Sequence, residues 1–374
     1  MVFKENYKLR KPSGKYTVGC MRFEYEYESQ ETNCTRRIPC LCFYPSDAKD
    51  DLDREKEYAS AALFPEFKGI STNSYWDIPI LAGKHPLLLF STGLGSYLEQ
   101  NTVQFEELAS NGYIVLSIGH EGSSSFELKN GELCVWESKD KYNKENTDTK
   151  EITENYKKWL SENSNVASVQ ERVLKYREYS KAFAYRNNLF DIWTEDSHVA
   201  LEMLIKDMGK ESVEVRNHVD LDKIAAFGMS FGGSTALRLA VESDFIKVGV
   251  SLDGAIYWND EWDGTINKPF MLMCTYNPKD VMRKKALPLL NATSGLYSAE
   301  IKDSEHVNFT DFNDILETDE NGFLGEIDPD IMERIMNTLV SDFFDKYLRD
   351  KESGYLDTGF WEKYVQIQSG RGGQ

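Results

Sequence analysis

Six consecutive residues of this 374-residue chain, Gly228-Met229-Ser230-Phe231-Gly232-Gly233, have the pattern of a displayed nucleophile. They follow the apolar run KIAAF and precede STALRLAV, which is rich in helix formers, so the serine falls on a strand-to-helix turn. Small residues at 228 and 232 let the backbone pass closely, and the helix N-terminus points at the charge that develops when a serine attacks a carbonyl. Such a serine needs a base. Five histidines exist, at 85, 120, 198, 218 and 306. Chains that display a serine on this elbow order their groups as nucleophile, acid, histidine, and only His306 follows Ser230. It lies in Asp-Ser-Glu-His-Val-Asn-Phe, a loop just past the last expected strand. The other four read as structural: His85 opens a strand before Pro86, His120 ends one, His198 falls within a helix and His218 in a polar turn.

Two aspartates are candidates for the acid that orients His306. Asp253 closes GVSLDG, coming directly off an apolar strand with Gly254 leaving space beside it; Asp280 follows MLMCTYNPKD, in a polar turn after the next strand. The residues alone leave both open. An oxyanion hole needs two backbone N–H groups, one after the nucleophile and one from the loop after an earlier strand. Phe231 supplies the first, and Leu94 in Ser91-Thr92-Gly93-Leu94-Gly95 is the natural second.

These groups need a sheet to hold them. Eight runs read as strands: Thr17 to Tyr27, Arg37 to Tyr44, Pro86 to Ser91, Tyr113 to Gly119, Lys223 to Gly228, Ile246 to Leu252, Pro269 to Tyr276 and Leu296 to Ile301. The first two alternate as an outer antiparallel hairpin does. LLLFS, YIVLSIG, KIAAFG and IKVGVSL are nearly continuous apolar runs, which suits parallel strands covered on both faces. Helical periodicity appears at Phe105, Leu108 and Ala109, again at Ala200, Leu201, Leu204 and Ile205, and along Ile331 to Tyr347. The expected class is α/β, with an α/β-hydrolase fold of about eight mostly parallel strands and helices on both faces. Between the fourth and fifth strands lie 102 residues, Glu121 to Asp222, far more than one crossover helix needs. Lys139 to Asn165 is densely charged and reads as a solvated excursion, helical around Tyr156 to Leu160; helical pattern resumes from Val169 to Lys206. One domain over 1–374, with an insertion or cap around 121–190, is the expected organisation.

Composition removes whole classes of function. With 43 Lys and Arg against 62 Asp and Glu, the formal net charge is −19, and no basic run offers a face for a phosphate backbone. No nucleic-acid partner is expected. No stretch reaches the roughly 20 apolar residues of a membrane-spanning helix. The N-terminal MVFKENYKLRKPSGKY lacks the apolar block of a secretory signal, so a cytoplasmic location is expected, a processed secreted form remaining open. Six cysteines in a chain of this size read as reduced thiols; Cys40 and Cys42 read as small core residues rather than metal ligands. No phosphate-binding loop, dinucleotide fingerprint or H-E-x-x-H helix occurs, so neither cofactor nor metal is expected.

Taken in order, GKYTVGC (14–20), FYPSD (43–47), PLLLFSTGLGSY (86–97), LASNGYIVLSIGHE (108–121), GMSFGGSTA (228–236), VSLDGAIYW (250–258) and EHVNFTDF (305–312) span almost the whole chain. In these blocks and their spacing the chain resembles the platelet-activating-factor acetylhydrolase family of the plasma and intracellular type II kind. The resemblance implies a Ca²⁺-independent serine esterase that releases short or oxidised acyl chains, in family members from the sn-2 position of phospholipids. It also implies Asp253 rather than Asp280 as the acid, with Ser230, His306, Leu94 and Phe231 matching nucleophile, base and oxyanion donors. The chain departs from the family at Thr92, where a His is usual, and in an insertion from Glu121 to Asn165 that is polar and acidic, which favours a soluble or zwitterionic ester over an anionic membrane. Tyr257, Trp258 and Trp262 read equally as substrate-pocket or packing aromatics. A general carboxylesterase, a dienelactone-hydrolase-like or polyester-cleaving enzyme, and a non-catalytic binding protein on the same fold are the rival readings; oligomeric state is open.

Overall fold

Every strand read from the sequence pairs into one sheet in the computed structural model, which describes residues 1–374 apart from 50–51, 164–165, 207–208, 210–211, 257–261, 263, 277–290, 293–294, 321, 358–362 and 371–374. Its strands are β1 (Thr17–Glu28), β2 (Thr35–Ser46), β3 (Glu55–Glu57), β4 (Ser71–Trp76), β5 (His85–Ser91), β6 (Ile114–Ile118), β7 (Val219–Met229), β8 (Ile246–Leu252), β9 (Phe270–Thr275), β10 (Leu296–Ile301) and β11 (Val365–Gly370). Their order across the sheet is β11-β10-β9-β8-β7-β5-β6-β2-β1-β4-β3. The neighbours from β6 through β5, β7, β8 and β9 to β10 run parallel, and β1 with β2 forms the expected antiparallel hairpin. Among the described residues this sheet has eleven strands rather than about eight. The additional β3, β4 and β11 read EKE, STNSYW and VQIQSG. They lie toward the two margins, where short polar strands blunt an exposed edge and leave no apolar run to detect.

Because successive strand residues face opposite ways, the apolar runs feed two cores. Leu87, Leu89, Ile224, Ala226 and Ile246 face helices α5 (Ala184–Ile205) and α7 (Phe231–Glu242), where Ala200, Leu201, Leu204, Ala236 and Leu239 meet them. Leu88, Phe90, Ala225, Phe227 and Val248 face α1 (Thr102–Ser110) and the long C-terminal helix α8 (Pro329–Arg349). In α8 the residues Ile335, Met336, Leu339, Val340, Phe343 and Phe344 are buried, as the stripe predicts. Asp328 caps its start by accepting from the Asp330 and Ile331 N–H groups at 2.9 and 3.1 Å, with Pro329 at the first helical position.

The insertion is more regular than its charge suggested. Helices α2 (Lys139–Asp148), α3 (Lys150–Asn163), α4 (Val169–Ser180) and α6 (Val213–His218) accompany α5 between β6 and β7. Lys139 to Asn163 is therefore helical nearly throughout. Lys and Glu are good helix formers, but a helix with so few apolar positions shows no stripe. Its two anchors are Tyr156 and Leu160, both buried, and Tyr156 stacks on Tyr179 of α4 at 4.3 Å. Cys40 and Cys42 lie in the core on β2, where burial pushes both thiols well above their ordinary value. Among the described residues no cluster of His, Cys, Asp or Glu could hold a metal, and no helix is long and apolar enough to cross a membrane.

Candidate active site

Ser230 stands between the end of β7 and the start of α7 with φ 57° and ψ −119°, a conformation side chains rarely adopt. Its N–H donates to the Leu252 carbonyl of the neighbouring β8 at 2.8 Å, which holds the elbow against the sheet. The flanking glycines are obligatory for lack of room: a Cβ on Gly228 would overlap the carbonyl oxygens of Gly232 and Ser91, and one on Gly232 those of Ser91 and Thr92. The serine hydroxyl is thus presented at the mouth of the sheet beside the N-terminus of α7.

His306 opens a short 3-10 turn, His306–Phe309, that follows β10. Its Nε2 lies 2.9 Å from Ser230 Oγ, and its Nδ1 lies 2.5 Å from Asp253 Oδ2. A carboxylate can only accept, so Nδ1 carries the proton and Nε2 is left to accept from the serine hydroxyl. Asp253 leaves the end of β8 with φ 52°, its side chain fully buried; its own N–H donates to Met273 at 2.7 Å and its Oδ1 accepts from the Thr275 N–H at 3.0 Å. These bonds orient the carboxylate toward the imidazole. The His306 turn is held by the buried Asn308, whose Oδ1 accepts from Glu305 and Gly325 N–H groups at 2.7 and 2.8 Å. Three residues named from sequence thus form one hydrogen-bonded chain, while Asp280 lies outside the described residues.

The Thr92–Gly95 loop runs over the elbow, close enough that a Cβ on Gly93 would stand 3.6 Å from Ser230 Cβ. Leu94 is half-buried against Leu189, Phe190, Trp193 and Phe231, so both expected oxyanion donors belong to one apolar cluster beside the serine. Thr92 is buried and its hydroxyl lies 3.1 Å from that of Ser124, an anchor supplied here in place of a ring. From the insertion, the Trp136 indole covers Gly95, which leaves no room for a side chain there. Of the three aromatics considered for a pocket, Tyr257 and Trp258 lie outside the described residues. Trp262 packs on the main core, donating its indole N–H to Thr265 O at 2.7 Å and accepting from Arg177 through its carbonyl.

A second buried constellation lies behind this loop and was not apparent in the sequence. His120 Nε2 is 3.2 Å from Ser91 Oγ, its Nδ1 is 3.0 Å from Asp196 Oδ2, and Asp196 receives a two-pronged hydrogen bond from Arg36 at 2.9 and 2.8 Å. Both His120 and Asp196 are completely buried, so the arrangement has serine, histidine and aspartate but no access for substrate. Burial holds the imidazole below its ordinary value. Burial alone would raise the Asp196 carboxyl, but the hydrogen bonds and charges of His120 and Arg36 bring it below the usual range. The ring of Trp193 stacks on His120 at 3.9 Å and meets Phe231 edge-on at 4.9 Å, so this network underlies the elbow. Ser91 ends one strand and His120 closely follows the strand beside it, which is the signal that could have paired them; nothing in the sequence points to Asp196.

The model of the family described as platelet-activating factor acetylhydrolase, isoform II, matches residues 67–361. The platelet-activating factor acetylhydrolase of Bos taurus is 24% identical over 91% of this chain and 77% of its own length. That of Canis lupus familiaris is 26% identical over 82% of this chain and 68% of its own. Among solved structures, a ferulic acid esterase from Streptomyces cinnamoneus aligns over 97% of this chain and 99% of that one with a TM-score of 0.70 at 19% identity, a likeness of fold. Since the family model spans the elbow and the His306 turn alike, the chain belongs to the platelet-activating factor acetylhydrolase isoform II family and is a carboxylic ester hydrolase of the α/β-hydrolase fold.

Proposed function

We propose that Ser230, His306 and Asp253 are the catalytic triad and that the Leu94 and Phe231 N–H groups form the oxyanion hole. The single observation that carries this reading is the chain of hydrogen bonds from Asp253 through His306 to a serine on a strained elbow. Ser230 Oγ attacks the ester carbonyl as His306 Nε2 takes its proton, and the carbonyl oxygen becomes an oxyanion facing the two amides. Collapse of this intermediate expels the alcohol, which leaves with the proton from His306. Water then gives a proton to His306 and its oxygen to the acyl carbon, and release of the acid returns the proton to Ser230. Asp253 keeps the imidazole in the tautomer this requires. Each oxyanion donor contributes about 3–4 kcal/mol to the transition state, so the Leu94 loop matters as much as the triad.

The substrates proposed are esters with short or oxidised acyl chains, including sn-2 esters of phospholipids, a class supported by the names of the curated relatives. The chain is read as one α/β-hydrolase domain whose segment around 121–190 caps the site; the cover of Trp136 over Gly95 and the packing of Tyr185 and Leu94 on one apolar cluster support that role. The formal net charge of −19 favours an uncharged or zwitterionic ester. The test is hydrolysis of p-nitrophenyl esters from acetyl to dodecanoyl with EDTA present. Wild-type activity is expected to fall with chain length, Ser230→Ala and His306→Ala to lose at least ~10³-fold of kcat/KM, and Asp253→Asn a large part. An active Ser230→Ala variant, or a mild Asp253→Asn beside a crippling Asp280→Asn, would overturn the assignment it addresses. A profile flat in chain length points instead to a general carboxylesterase.

A further inference from the structure

Two amide side chains at the start of α1 join parts of the site that are far apart in sequence. Gln100 Oε1 accepts the Gly93 N–H at 2.7 Å, in the loop that carries Leu94. Gln100 Nε2 donates to Asn101 Oδ1 at 2.9 Å, and Asn101 Nδ2 donates to the Phe309 carbonyl at 2.8 Å, in the turn that carries His306. The Gln100 carbonyl also accepts the Asp311 N–H at 2.9 Å, just past that turn. Both side chains are essentially inaccessible, at 1% and 0% exposure. Buried amides are costly unless their groups are paired, and here the pairing leads from the oxyanion loop to the base.

We propose that Gln100 and Asn101 are positioning residues that hold the Leu94 amide and the His306 imidazole in register about Ser230. The proposal rests on the catalytic reading given above. Gln100 fixes the Thr92–Gly93 peptide, the one before the peptide that carries the Leu94 N–H. A loop free to tilt there would carry the Leu94 N–H away from the oxyanion, and a misplacement of about 1 Å is enough to cost a hundredfold in rate. Neither side chain touches the reacting atoms in this arrangement; each acts through a backbone group of a loop that does. Substrate binding depends on other surfaces, so the effect falls on kcat and not on KM.

Gln100→Met, similar in size but unable to accept from Gly93, is expected to lower kcat about 10- to 100-fold with KM changed by less than about twofold. Asn101→Asp keeps the acceptor for Gln100 and suits a helix N-terminus, but loses the donor to Phe309; it is the second variant, chosen to fold if the first does not, and a similar loss in kcat is expected. The decisive readout is inhibition by an alkyl trifluoromethyl ketone, whose adduct with Ser230 places an oxyanion between the two amides. Its Ki should rise by the same factor as kcat/KM falls, whereas a purely structural role would reduce the folded fraction and leave the Ki of the folded enzyme unchanged. Folded variants with kcat within about twofold of wild type, or with the loss in KM, overturn the proposal. Ser230→Ala in the same assay separates the two readings: if it is inactive while Gln100→Met is normal, only the tether is wrong, and if it is active, both fall.

Discussion

Ser230, Asp253 and His306 differ in how far their own sequence announces them. Ser230 was legible because its elbow is local: strand, tight turn and helix lie within a dozen residues. His306 followed by chain order. The choice of Asp253 over Asp280 came from resemblance, because either could approach a histidine until the strand ends are placed in space. Gln100, Asn101, His120 and Asp196 were not legible, since ordinary polar residues carry no mark of their pairing, and Asn101 and His120 bond to residues 208 and 76 positions away. His120 supports a prediction at this scale. Its folded-state value is depressed by burial, so below about 6.5 the unfolded chain binds a proton that the folded one refuses, and stability falls with pH. Urea unfolding of wild type from pH 8 to 5 should show the midpoint dropping below pH 6.5, and His120→Gln should flatten that limb while being less stable at neutral pH. Equal slopes in the two proteins would show that His120 does not titrate against folding.

At the scale of elements, alternation and continuous apolar runs located the buried strands, and the stripe located α8. The short polar edge strands and most of the charged helices of the insertion escaped because elements with few apolar positions show no pattern. One feature of α8 does run against its apolar character. Glu333, Asn337 and Ser341 follow at intervals of four on one face and line a cavity of about 390 Å³ that Arg10 and Glu107 also border. One oxygen of each is buried without a protein partner among the described residues. Burial, aided by the charge of Asp314, pushes the Glu333 carboxyl up to about 8. Raised above its unfolded value, this group binds its proton more tightly in the folded state, so its contribution to stability is lost as pH climbs from about 4.5 through 8. Glu333→Gln should therefore gain on wild type in urea midpoint between pH 5 and pH 8; a constant difference across that range would mean the carboxyl is not held neutral.

For the whole molecule, the net charge of −19 is a statement about encounters rather than about fold. At low salt an acidic enzyme is repelled by an anionic surface over about a Debye length, roughly 10 Å at 0.1 M. A short-chain ester dispersed in phosphatidylcholine vesicles should be hydrolysed faster than the same ester in phosphatidylglycerol vesicles at about 20 mM salt, with the gap closing toward 0.5 M. Faster turnover on the anionic vesicles at low salt would mean that a local basic surface governs docking instead.

The order of apolar runs, the elbow and a single downstream histidine were enough to establish the α/β class, the display of Ser230 and the pairing with His306, because each depends on local pattern or on chain order. Tertiary structure decided how the supporting groups reach them. Asp253 reaches His306 only because β8 and β10, with β9 between them, bring their ends to one edge. Gln100 and Asn101 bridge two loops only because β5 delivers one beside the turn that follows β10. Side-chain pairing across hundreds of residues is fixed by where the sheet puts the strand ends, and that placement is a property of the packed whole.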